Sequence, residues 1–334
     1  MKKTLVALAV LATASANAGN LYENDATSVK VSGEVDTVLK TLKTKSGGST
    51  VTDDDAQVYA WANVQFDVDH KLSDSVTAFG SFEMEADNGE NVKVDDAKVG
   101  FKGNFGKVTF GETGSSYAIL EKAELTNEGA DVDVVYNSTE SAGNGIRYEI
   151  TVADSLSLSA DIQTKASETV DSDWAISADY AIADFTIGAA YLQADEKSVD
   201  YDRNAMGLSV SYEANGFYVA GTYTQYEGQG DVNVEGGDST ASLGDHDGNT
   251  YALAASYSWD AYKVYGAYQV LSADKTTSGA NIDADLDNYY LGLEYAVMAN
   301  LTAFVEYNVS ELSGSSVASK QEADFAAAGL YLTF

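Results

Sequence analysis

The sequence predicts an all-β fold, a 16-stranded antiparallel up-and-down transmembrane β-barrel. Three observations carry this reading. Segments of about ten residues alternate apolar and polar side chains, as half-buried strands do. Their connections alternate between tight turns and long loops. Proline is absent from all 334 residues, so every backbone N–H is available for strand pairing.

The chain opens with Met1-Lys2-Lys3, an apolar run from Leu5 to Ala12, and Ala16-Asn17-Ala18. A basic start, a short apolar stretch and a small-x-small site in that order mark residues 1–18 as a cleaved secretory signal peptide, leaving 19–334 as the barrel. The apolar run is far shorter than the roughly 18 residues that a membrane-spanning helix needs.

Strand by strand, Val29, Val31, Val35 and Leu39 alternate with Lys30, Ser32, Glu34, Asp36 and Lys40 over 28–41. Over 56–68, Val58, Ala60, Ala62, Val64, Phe66 and Val68 alternate with Gln57, Tyr59, Trp61, Asn63, Gln65 and Asp67. The same rhythm places strands at 75–86, 94–103, 106–112, 144–153, 155–165, 173–183, 185–195, 204–214, 217–227, 249–259, 262–273 and 287–297. In 300–311, Leu301, Ala303, Val305, Tyr307 and Val309 alternate with Thr302, Glu306, Asn308 and Ser310, and 323–334 is the last strand.

Tight turns fall at Asp154-Ser155, Ala183-Asp184, Asn215-Gly216, Asp260-Ala261 and Ala299-Asn300, whereas long acidic loops fall at 42–55, 113–143, 228–248 and 274–286. All tight turns then lie at one end of the barrel and all long loops at the other. Sixteen strands enclose more space than side chains can fill, which excludes a soluble barrel or sandwich and makes the polar parity line water. Closure satisfies every backbone group where lipid offers no partner.

Asp and Glu number 52 against 19 Lys and Arg, and the only arginines are Arg147 and Arg203. That balance excludes a nucleic-acid binder, which needs clustered cations. With no cysteine and only His70 and His246 as imidazoles, in a turn and a loop at opposite barrel ends, no enzyme and no cofactor is expected. The polar parity carries Glu34, Asp36, Asp67, Glu83, Glu85, Asp96 and Glu306 against Lys30, Lys40, Lys98 and Lys102. An acidic excess focused by low-dielectric walls predicts cation selectivity.

Tyr59 and Trp61 share the wet parity, where they either stack on sugar rings or pack beneath an inward loop. Asp283-x-Asp285-x-Asp287 copies the start of an EF-hand loop without its later glycine and glutamate. This cluster and Asp245-His246-Asp247-Gly248-Asn249 are read as loop charge. Such loop carboxylates are expected to bridge weakly, through divalent cations, to lipopolysaccharide phosphates.

Val29-Lys30-Val31-Ser32-Gly33-Glu34-Val35-Asp36, Ala97-Lys98-Val99-Gly100-Phe101-Lys102-Gly103, Phe105-Gly106-Lys107-Val108-Thr109-Phe110-Gly111 and the terminal Phe334 together give the mature chain a family likeness. It resembles the Gram-negative general porins of marine and Vibrio-type gamma-proteobacteria. The resemblance implies an outer-membrane homotrimer of diffusion channels for small hydrophilic solutes and ions, with the third long loop, about 113–143, folded into the lumen. It assigns Tyr117, Glu121, Glu124, Glu128 and Asp131 to the constriction loop, and Glu34, Asp36, Gln57, Tyr59, Trp61, Lys98 and Arg147 to the pore wall.

Glu34 and Gln57 stand where the family places cations, and the loop tip keeps only Asn127-Glu128-Gly129. Leu332 replaces the usual third-from-last tyrosine, leaving Tyr331 on the other parity. Leu330, Leu332 and Phe334 then form the signal for the barrel-assembly machinery. Two other roles fit the same chain: a sugar-preferring porin, and a surface adhesin or phage receptor.

Overall fold

The computed structural model describes residues 19–87, 92–129, 144–164, 172–194, 203–230, 232, 234 and 243–334. The signal peptide of residues 1–18 and Asp131 of the constriction loop lie outside them. The strands in order are β1 (Gly19–Glu23), β2 (Thr27–Ser46), β3 (Ser49–Ser73), β4 (Val76–Asp87), β5 (Lys93–Gly103), β6 (Gly106–Gly111), β7 (Gly145–Val152), β8 (Leu156–Gln163) and β9 (Asp173–Ile182). They continue as β10 (Phe185–Ala194), β11 (Arg203–Ala214), β12 (Phe217–Gln229), β13 (His246–Trp259), β14 (Tyr262–Thr276), β15 (Asn281–Met298), β16 (Leu301–Ser313) and β17 (Gln321–Thr333).

From β2 onward each strand pairs antiparallel with the next, and β17 returns to β2, closing a 16-strand ring. The β17–β2 register runs from Gln321 opposite Ser46 to Thr333 opposite Glu34, after which Gly33 and Phe334 exchange two backbone hydrogen bonds of 3.0 Å. The extra strand β1 pairs with Ser28–Val31 of β2 and so prolongs the position of β17. Five residues are too few to show a period, so β1 left no trace in the alternation.

The sixteen expected strands are β2 to β17. Two expected long loops, however, are mostly strand. The stretch 42–55 narrows to a turn at Gly47-Gly48, with φ of +55° and +80°, and 274–286 narrows to 277–280. Strands that rise beyond the bilayer are wet on both faces, so the alternation that marks a strand fades although the pairing continues.

The acids Asp283, Asp285 and Asp287 lie on one face of β15, bonded to Ser315, Ser272 and Tyr268 in turn. That arrangement is a strand, not an EF-hand loop. At the opposite end, Ala153-Asp154 (φ +53° and +59°) and Asn215-Gly216 (φ +54° and +82°) each put both central residues in the left-handed region. This is the two-residue hairpin that matches strand twist.

Register assigns the faces. Val58, Leu208, Leu253, Leu291 and Val305 point outward and are exposed. Phe217, Tyr257, Trp259, Tyr262 and Tyr295 form an outward belt near the tight turns, with successive ring centroids 4.2 to 5.6 Å apart. The inner face divides in two. Along β2–β8 it is charged and polar, but on β14–β16 the inward Leu271, Leu286 and Leu312 stand side by side and buried. Val38, Phe304 and Phe325 form a second apolar cluster on β2, β16 and β17. The expectation that the whole inner parity lines water therefore fails on one side, because loops fold in and cover it. Above Trp61, no described strand pairs with β3 on its β4 side, and the edge left there carries Asp53, Asp54 and Asp55.

Candidate functional site

After β6, residues 112–129 enter the barrel and follow its inner wall. At the root of this loop, Arg147 donates from Nη1 to the Gly114 carbonyl (3.0 Å), and the Gln163 amide donates to the Thr113 carbonyl (3.2 Å). Ser115 caps a 3-10 helix over Ser116–Ala123, its hydroxyl accepting from the Tyr117 N–H (3.2 Å). Asp161 accepts the Ser116 N–H at 2.5 Å.

The helix lies against β8–β13. There Ser209 donates to the Ile119 carbonyl (2.9 Å), Tyr218 to that of Lys122 (2.8 Å), and Tyr117 to Thr224 (3.1 Å). Lys122 pairs with Asp179 at 2.9 Å. Inward small residues make the seat: a Cβ on Gly207 would lie 2.6 Å from Leu120 Cδ1, and Ala175, Ala190 and Ala205 sit in the same core.

The loop tip is held by one carboxylate. Glu306, buried on β16, accepts from the Thr126 hydroxyl (2.7 Å), the backbone N–H groups of Asn127 (2.9 Å), Glu128 (3.2 Å) and Gly129 (2.7 Å), and the Tyr265 hydroxyl (2.7 Å). Gly129 is required for this approach, since a Cβ there would lie 2.9 Å from Glu306 Oε1. Tyr290 donates to the Ala123 carbonyl (3.3 Å) and accepts from the Leu125 N–H (2.7 Å).

Among the residues assigned to the loop, Tyr117 and Glu121 are buried, and Glu124 is half-buried. Glu128 reaches back to the wall, pairing with Lys40 at 2.5 Å and accepting from Tyr331 at 3.0 Å. The off-parity Tyr331 is thus an inward residue of the constriction. Leu330, Leu332 and Phe334 face outward.

On the wall, Asp36 faces inward but is covered, lying in register between Trp61 and Tyr331. Glu34 is half-buried, with its N–H donated to Asn63 at 2.8 Å. Tyr59 remains 39 % exposed with the Lys40 ammonium 5.6 Å from its ring centre, and its hydroxyl donates to Gln57 (3.1 Å). Trp61 donates from its indole N–H to Glu85 at 3.2 Å. Arg147, tied to the loop root and to Glu149 (3.1 Å), is a clamp as well as a wall cation.

The loop crosses to the β14–β17 side, so the wall it leaves open is β3–β7. Four lysines there are ion-paired: Lys93 with Glu85 (2.5 Å), Lys98 with Asp96 (3.1 Å), Lys102 with Asp69 (2.7 Å) and Lys107 with Glu149 (3.1 Å). Glu83 takes its bond from Asn63 (2.7 Å) and Asp67 from Gln65 (2.9 Å), both neutral donors, and Asp67 lies in register opposite Lys30. Glu83, Glu85 and Asp95 bring carboxylate oxygens within 4.8 Å of one another. These carboxylates share the wall that the loop leaves open.

Parity alone ranked Glu306 among the selectivity acids, yet the loop backbone consumes its lone pairs. Asp161, Tyr265 and Tyr290, which the sequence reading passed over, carry the same kind of anchoring.

A closed sixteen-strand ring with a loop pinned across its lumen is the geometry of a solute channel, and the sequence matches the family described as Gram-negative porin over residues 4–327. The chain is a Gram-negative porin. Outer membrane protein U of Vibrio parahaemolyticus is 26 % identical to it, over 97 % of each chain. Among solved structures, Salmonella typhi OmpF in complex with daunomycin superposes with a TM-score of 0.75 at 18 % identity, over 95 % of this porin and all of that chain. The trimer form of Vibrio cholerae OmpT superposes with a TM-score of 0.70 at 17 % identity, over 93 % of this porin and 100 % of that chain. The porin is an outer-membrane diffusion channel, and its family and fold point to passage rather than catalysis.

Proposed function

We propose that this porin passes small hydrophilic solutes with a preference for cations. The observation that supports it is the open wall over β3–β7, where Lys93, Lys98, Lys102 and Lys107 are each held by a carboxylate while Glu83 and Asp67 take their hydrogen bonds from neutral side chains. Carboxylate-lined constrictions favour cations, and the effect fades as salt shortens the Debye length from about 10 Å at 0.1 M to about 3 Å at 1 M. The test is the reversal potential of the purified channel in a KCl gradient. A potential of the sign set by chloride permeation would overturn the proposal.

Tyr59 supports a second reading, passage of sugars, because it is an aromatic ring left open at the mouth of the lumen. Millimolar saccharide should then interrupt single-channel current, and uninterrupted current would reject this reading. We propose further that the porin works as a homotrimer, as the Vibrio cholerae OmpT trimer form does, and three equal closing steps per insertion would be its signature. We also propose weak bridging of loop-end carboxylates to lipopolysaccharide through divalent cations, supported by the outward acids Asp283, Asp285 and Asp287 of β15. Leu330, Leu332 and Phe334 form the outward face offered to the assembly machinery.

A further inference from the structure

We infer that Val232 and Val234, which lie between β12 and β13 in the chain, are a second inward-seated apolar contact beside the constriction loop, and that they set the calibre of the extracellular entrance. A row of leucines facing a water-filled pore is a poor use of the inner parity, because apolar surface in water carries a hydration cost. Leu271, Leu286 and Leu312 form such a row by register, yet they are 2 %, 3 % and 0 % exposed. Val232 and Val234, 8 % and 3 % exposed, belong to the same buried cluster, together with Tyr117 and Leu120 of the constriction loop. Leu243, on the return of the connection, packs against it as well.

The sequence here alternates polar and apolar residues, Asp231-Val232-Asn233-Val234-Glu235, and both valines are buried. Both ends of the connection are fastened. Asp247 accepts the Gly228 N–H (3.0 Å), Asp245 accepts the Thr277 N–H on its carbonyl (3.1 Å), and Arg203 pairs with the Asp245 carboxylate at 3.3 Å. His246 is fully buried, edge-on to Tyr226 at 5.7 Å. The constriction loop and the two valines thus share one dry core against β9–β17, and the aqueous path is confined to the acid-bearing wall over β3–β7. This holds whichever ion that wall prefers.

The chain has no cysteine, so a single introduced thiol reports without background. In vesicles carrying the purified channel, Val234→Cys should react with a membrane-impermeant thiol reagent about a hundredfold more slowly than Ser278→Cys, which sits on an exposed turn at the same end, because burial demands local opening first. The double variant V232D/V234D cannot keep two carboxylates at the leucine row. It should raise single-channel conductance by roughly 1.5-fold and admit larger solutes by widening the constriction. Equal labelling of the two thiols would overturn the inference. So would unchanged conductance and size limit in a folded V232D/V234D channel.

Discussion

Replacing Glu306 by alanine would unfasten the constriction without touching the strand ladder. The carboxylate receives three backbone N–H groups, from Asn127, Glu128 and Gly129. Hydrogen bonds to a charged group contribute about 1.5–3 kcal/mol each, so the lower bound for the three is roughly 4.5 kcal/mol. The hydroxyls of Thr126 and Tyr265 lose the same acceptor. If water and relaxation recover half of that lower bound, about 2.3 kcal/mol remains, which at about 1.4 kcal/mol per decade is roughly a 40-fold shift toward the released tip.

Two assays read this shift. Amide exchange at residues 127–129 should accelerate by that factor, and open-channel current should become noisier. Glu306→Gln, which keeps one carbonyl oxygen, should fall between wild type and alanine. Unchanged amide exchange in a folded Glu306→Ala barrel would refute the anchoring argument.

Glu83→Gln with Glu85→Gln should move the reversal potential toward zero, more in 0.1 M than in 1 M KCl, because the Debye length falls from about 10 to about 3 Å. Gly33→Ala would drive a Cβ to 2.5 Å from both the Asn63 carbonyl and Phe334 Cζ. Overpacking of that kind costs about 1–3 kcal/mol and should lower the urea midpoint of the folded barrel. Arg147→Ala removes the donor to the Gly114 carbonyl, a charged bond of about 1.5–3 kcal/mol, and should speed proteolysis within the loop root. Arg147→Lys should restore only part of the protection.

The ring was legible because strand parity is a two-state property: Val58 outward and Gln57 inward fixes the face of every neighbour down the register. Parity says which side of the wall a residue faces, not what stands in front of it. Glu306 and Asp67 share a parity, but one meets three backbone N–H groups and the other a glutamine amide. The leucine row at Leu271, Leu286 and Leu312 and the small residues Gly188, Ala190, Ala205 and Gly207 were the available hints of something seated inside. They are recognisable only once register sets them side by side. The strand ends beyond the bilayer were invisible for the converse reason, since Asp53 to Asp55 sit in a ladder that water wets from both sides.

The stretch of β3 above Trp61, which no described strand pairs on its β4 side, has a bearing on life in a crowded membrane. A bare strand edge is a template that any passing strand can extend, and outer-membrane barrels stand close enough to meet one another rim to rim. The three consecutive aspartates on that edge place charge where two copies would have to zip together, so neighbours repel at the height where their hairpins could touch. On this view part of the acidity at the rim guards strand edges against pairing between barrels.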